Sequence, residues 1–146
     1  MMSPIARAAA SSSVLITVGC GGVGKTTIAA ATALRSALEG KESLVCTIDP
    51  ARRLANALGL RALGNAETEI PLHVYGEAGI APGAPLRAMM LDMKRSWDEL
   101  INRRASPETR DRIMQNRFYQ TLSTSLAGSQ EYVAIEKLCE LRSERD

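Results

Sequence analysis

The 146 residues suffice for one domain, and 45% hydrophobic with 23% charged residues excludes a disordered chain. Aromatics at 3% exclude a base-stacking platform for single-stranded nucleic acid, and a net charge of +2 gives no reason to expect nucleic acid or an anionic membrane as partner. The cysteines Cys20, Cys46 and Cys139 are distant from one another and form no C-x-x-C pair, which argues against a zinc site or a disulfide framework and suits a reducing cytoplasm.

Residues 1–12 read as a disordered tail. Arg7 and the small residues around it resemble a targeting segment, but the apolar run that follows, VLITV, is too short for a signal core. No run approaches the ~18 apolar residues of a membrane span. Residues 13–19, SVLITVG, are β-branched and nearly continuously apolar, the pattern of a buried parallel strand. Residues 26–39 are rich in Ala and Leu and predict a helix that Gly40 stops. Residues 43–49, SLVCTID, predict a second buried strand. Strand, glycine loop, helix and strand make one βαβ unit, placed at residues 13–60 together with a short helix closed by Gly59.

A third strand is predicted at residues 72–75, LHVY. Its His73 has no partner constellation, so a structural role at or near the surface is expected. Pro82, Gly83 and Pro85 mark a loop, and a helical segment is predicted over residues 84–143. There Leu86, Met90, Met93, Trp97, Leu100 and Ile101 recur at helical steps, giving an apolar face read as core packing, with an adaptable groove as the alternative. Ser106 and Pro107 predict a capped helix start, and residues 113–126 and 131–141 predict two further helices. Arg103, Arg104, Arg110 and Arg112 alternate with acids and predict a solvated face.

The chemistry is concentrated in GCGGVGKTT, residues 19–27, which satisfies G-x-x-x-x-G-K-[ST]. Glycines let the main chain wrap closely, so that amides of Gly21, Gly22, Val23, Gly24, Lys25, Thr26 and Thr27 form an anion nest at the start of a helix. Lys25 is then expected to reach the β- and γ-phosphates of a nucleotide, and the Thr26 hydroxyl to join a Mg²⁺ shell. Strands of a parallel sheet open their carboxyl ends on one edge, which predicts Asp49 beside the same phosphates. A carboxylate there repels phosphate unless a metal or water intervenes, so Asp49 is expected to orient the attacking water; capping the helix begun by Pro50 is a compatible second role.

GGVGKTT followed by TIDPARRLANALGL resembles the arsenite-transporting ATPase family, of the deviant Walker A class that includes partitioning ATPases and the tail-anchored-protein delivery ATPase. AMMLDMKRSWDEL and NRFYQTLSTSLAGSQEYVAIEKL resemble a bacterial branch of it, so the likeness runs from Val14 to near the last residue. The resemblance implies an α/β fold, a P-loop NTPase-type parallel sheet with flanking helices, here incomplete, and a helical C-terminal half. It implies a cytoplasmic homodimer that hydrolyses ATP with Mg²⁺ and couples turnover to a conformational switch, with a membrane protein or apolar client as possible partner and no nucleic acid. Asp49, Pro50 and Ala51 match the first switch of the family.

Two departures stand out. Cys20 occupies the place of the lysine that defines the class, which weakens the case for dimer-activated hydrolysis unless Arg52 or Arg53 substitutes for it. The family continues into an Asp-Thr-x-Pro strand that has no match before Asp146, so residues 13–146 are expected to be the amino-terminal part of the ATPase domain. The arsenite-binding cysteines of the family have no counterpart in Cys20, Cys46 or Cys139. Two other functions fit the same loop: a partitioning-type ATPase, and a nucleotide-binding module without turnover.

Overall fold

The computed structural model describes residues 3–48, 53–125 and 129–144. The chain divides into two compact units, Met1–Met90 and Leu91–Asp146. The first begins with α1 (Pro4–Ser11), where a disordered tail was expected. Ser3 accepts a hydrogen bond from the Ala6 amide and Pro4 occupies the first turn, a start signal that the alanine-rich sequence then propagates.

Next comes α2 (Lys25–Leu38), one residue offset from the expected helix. It closes as a Schellman-type turn, with Gly40 N–H donating to the Ala37 carbonyl and Lys41 N–H to that of Ser36. The chain returns as β1 (Ser43–Thr47), which packs along α2. A four-residue connection between packed elements makes them antiparallel, so the start of α2 and the carboxyl end of β1 face the same way.

The elements α3 (Arg53–Ala57), β2 (Thr68–Glu69), α4 (Leu72–Glu77) and β3 (Leu86–Met90) complete the unit. The sheet order is β1-β3-β2. β1 and β3 are parallel, from Ser43 opposite Leu86 to Thr47 opposite Met90, while the short β2 is antiparallel to β3. The sheet is therefore mixed, where a parallel one was expected. Val45, Leu54, Tyr75, Leu86 and Ala88 lie in its core, with Ala30 and Ala37 of α2 on top.

Three expectations are corrected here. Residues 13–19 form no strand: the apolar run has no ladder partner among the described residues, and Ile16 and Val18 are 69% and 84% exposed. A buried strand needs neighbours for its amides and carbonyls, and the described sheet provides none for this run. Residues 72–75 are helical, because Pro71 precedes a single turn that buries Tyr75 and leaves Leu72 and His73 at the surface. Residues 86–90 are the central strand, buried from both sides, so the segment 84–143 does not begin as helix.

The loop before β3 comes close to the α2–β1 turn. Gly83 and Ala84 N–H groups both donate to the Ala37 carbonyl, at 2.9 and 3.0 Å. A Cβ on Gly83 would stand 3.1 Å from Cα and N of Gly40 and 3.2 Å from the Leu38 carbonyl oxygen. These are main-chain atoms that cannot rotate away. Gly83→Ala is therefore expected to destabilise the fold by about 1–3 kcal/mol, an overpacking cost. A thermal melt followed by circular dichroism checks this, and an unchanged midpoint would show that the turn yields freely.

The second unit is helical: α5 (Met93–Arg104), α6 (Pro107–Met114), α7 (Arg117–Ser125) and α8 (Ser129–Ser143). Ser106 caps α6 as expected, but the single helix expected at 113–126 is split, because Asn116 accepts from the Phe118 amide at 2.8 Å and starts α7 anew. Arg103 and Arg104 do more than line a solvated face. They pair with Glu140 and Glu136 of α8. Burial pushes the Glu140 carboxyl up, but hydrogen bonds from Arg103 and Lys137 outweigh it and hold the group below its ordinary value. Trp97 stacks on Tyr132 with ring centroids 5.9 Å apart, joining the same two helices.

Candidate functional site

The run 14–18, exposed from Leu15 onward, leads into the glycine loop, and the loop leads into α2 with no side-chain cap. At the N-cap, Gly24 adopts φ 88°, ψ 18°, and Gly22 has φ 79°. Both lie in the left-handed region, which costs a residue with a Cβ but not glycine. Nothing stands within 4 Å of where a Cβ would project from Gly21, Gly22 or Gly24, so the loop's main chain can be approached closely.

Among the described residues, the amides of 21–27 donate to no other residue, and the first such bond at the head of α2 is Ile28 N–H to the Gly24 carbonyl at 2.9 Å. A 14-residue helix therefore begins with its first amides unused, at the positive end of its dipole. An anion is the ligand that such a terminus accommodates best. Lys25 adds a formal positive charge. Its Nζ donates to the Cys20 carbonyl at 2.7 Å, so the side chain folds back across the loop instead of extending into solvent. Lys25 and Thr26 are half-buried, whereas Gly21, Gly22, Val23 and Thr27 are exposed.

The seven loop positions expected to bind phosphate thus come together on one turn and the head of one helix. Asp49, Pro50, Ala51 and Arg52 lie outside the described residues, and Arg53 opens α3. Cys20, Cys46 and Cys139 are exposed and none is joined in a disulfide among the described residues. Among the described residues no group of three His, Cys, Asp or Glu is placed to hold a metal ion, and no helix is long and apolar enough to cross a membrane.

Sequence reasoning overlooked one contact at the site. The Thr17 hydroxyl lies 3.5 Å from the Lys25 carbonyl oxygen, as donor to acceptor. The signal was available, since Thr17 is the one polar residue in the run 14–18.

Residues 12–146 match the family described as anion-transporting ATPase. Among curated proteins the chain is similar to protein Rv2184c of Mycobacterium tuberculosis (strain ATCC 25618 / H37Rv), 30% identical over 136 residues that cover 88% of this chain and 31% of that protein. The chain spans about a third of the length of that relative. The family match extends through both units, well beyond the loop, and agrees with the resemblance of the loop and of the stretch that follows β1. The chain belongs to the anion-transporting ATPase family.

Proposed function

We propose that the glycine loop binds the triphosphate of Mg-ATP and that the chain supplies the nucleotide-binding part of an ATPase. The observation that carries this reading is the set of amides over residues 21–27, at the head of α2, that have no partner among the described residues, with Lys25 folded over the same loop. In this reading the amides of Gly21, Gly22, Val23, Gly24, Lys25, Thr26 and Thr27 take the phosphate oxygens. Lys25 exchanges the Cys20 carbonyl for the β- and γ-phosphates, and a charge-assisted bond to phosphate is stronger than one to a neutral carbonyl.

The loop's donors and its open space fit a polyphosphate. For Mg²⁺ the half-buried Thr26 is the side chain assigned as ligand, through its hydroxyl, with phosphate oxygens supplying the rest. When bound, Mg²⁺ would neutralise phosphate charge during transfer. Asp49 follows β1 by two residues, and β1 ends toward the loop's side of α2. Asp49 is assigned the task of orienting the attacking water.

Family membership supports ATP hydrolysis; to this reading we add a switch between subunits of a homodimer in the cytoplasm, with a membrane protein or apolar segment as client. Cys20 favours a second reading, nucleotide binding without turnover, because a thiol cannot put positive charge on the transferring phosphoryl group. Isothermal titration with Mg-ATP followed by a phosphate-release assay separates the two. Saturable binding with release supports the ATPase, binding without release supports the module, and no binding removes both.

A further inference from the structure

We propose that Thr17 is a positioning residue for Lys25, an inference that rests on the loop's being a phosphate site. Thr17 is the last polar residue before the loop and Lys25 the first residue of α2. The hydroxyl of Thr17 donates to the Lys25 carbonyl at 3.5 Å, across a sequence separation of eight. This contact closes the neck of the loop. Lys25 itself makes the second crossing, from Nζ to the Cys20 carbonyl at 2.7 Å.

The two ties differ in what a phosphate would do to them. Contact with phosphate requires the ammonium to leave the Cys20 carbonyl, so that tie is given up when Lys25 acts. The Thr17 tie involves only the main chain of Lys25 and persists. It ties the segment before the loop to the first turn of α2, and so helps set where the Lys25 side chain starts relative to the loop amides.

At 3.5 Å the contact lies beyond the usual ~2.5–3.0 Å of an O–H···O bond, and in this proposal it shortens when phosphate is bound, as site hydrogen bonds often do in the complex. Thr17 is exposed, so its hydroxyl can bond to water in the folded and unfolded states alike, and its net worth to the fold is small. A positioning role and a merely structural one therefore predict different results.

The test uses the full chain with Thr17→Val, which keeps the branched shape and removes the hydroxyl, and Thr17→Ser, which keeps the hydroxyl. Binding of Mg-ATP and of its β,γ-imido analogue is measured by titration, and each variant is melted. Thr17→Val is expected to weaken binding about 3- to 10-fold, the worth of one modest hydrogen bond, while Thr17→Ser stays within about twofold of the parent. Added to Lys25→Ala, at raised ligand concentration, Thr17→Val should change the residual affinity no further.

Equal binding by Thr17→Val and the parent overturns the proposal. So does equal weakening by the Val and Ser variants, or a loss that persists without the Lys25 side chain. If the Val variant melts early, Thr17→Ala against Thr17→Ser carries the same comparison. Failure of the parent chain to bind Mg-ATP removes the phosphate-site reading itself, a result distinct from any of these.

Discussion

Lys25→Ala is expected to weaken Mg-ATP binding by at least about 100-fold, equivalent to about 2.7 kcal/mol, while barely changing the melting temperature. The affinity loss follows from the loss of charge-assisted bonds to phosphate, since truncating one partner of such a pair costs 2–5 kcal/mol or more. The amides of residues 21–27 remain and should hold a residual, weaker anion site. Stability is spared for a different reason. In the protein the ammonium donates to the Cys20 carbonyl, and that residue is exposed, so water can replace the lost donor. Titration beside a thermal melt reads both effects. An unchanged dissociation constant would refute the phosphate-site assignment, and a large drop in melting temperature would show that Lys25 holds the loop together instead.

What could be read from the sequence follows from how local each signal is. The helix of α2 and the strand β1 were found within two residues of their ends, because an Ala- and Leu-rich run and a β-branched run declare themselves without a partner. The glycine loop was legible for the same reason, since its form depends on glycines and a helix start within nine residues.

The misses are non-local or ambiguous in period. Residues 13–19 have every residue-level mark of a strand, yet strand structure consists of pairing, and the described sheet leaves this run unpaired. Leu86 and Met90 are spaced as on a helix, but a central strand buried on both faces is also apolar apart from a single residue, here Arg87, and in so short a run the two patterns cannot be told apart by period. The most instructive contrast lies in two Ser-Pro pairs. Ser106-Pro107 was read as a helix start, whereas Ser3-Pro4, with the same capping chemistry, was overlooked because composition alone suggested a tail. The tie from Thr17 to Lys25 spans eight residues and could not be deduced from spacing, although a lone hydroxyl in an apolar run marked where to look.

Asp49→Asn is expected to leave Mg-ATP binding intact or slightly tighter and to slow hydrolysis about 10²- to 10⁴-fold, the range for a lost general base. The two effects have opposite signs because they arise from different states. Next to a bound triphosphate a bare carboxylate is a like charge, worth about 4 kcal/mol of repulsion at ~4 Å and an effective dielectric of ~20. Replacing it by an amide of the same shape relieves whatever part of that repulsion water does not screen. During hydrolysis the same carboxylate would accept a proton from, or align, the attacking water, and an amide is too weak a base to do so. Binding by titration and single-turnover hydrolysis of the full-length protein measure the two separately. If binding instead weakened tenfold in a Mg²⁺-dependent way, Asp49 would belong to the metal shell and not to the water. If turnover were unchanged, its place two residues after β1 would be explained by capping the helix that follows. Because Cys20 stands where the class that the loop resembles has a lysine, the turnover that remains should depend more heavily on Asp49 than it would with a lysine in that place.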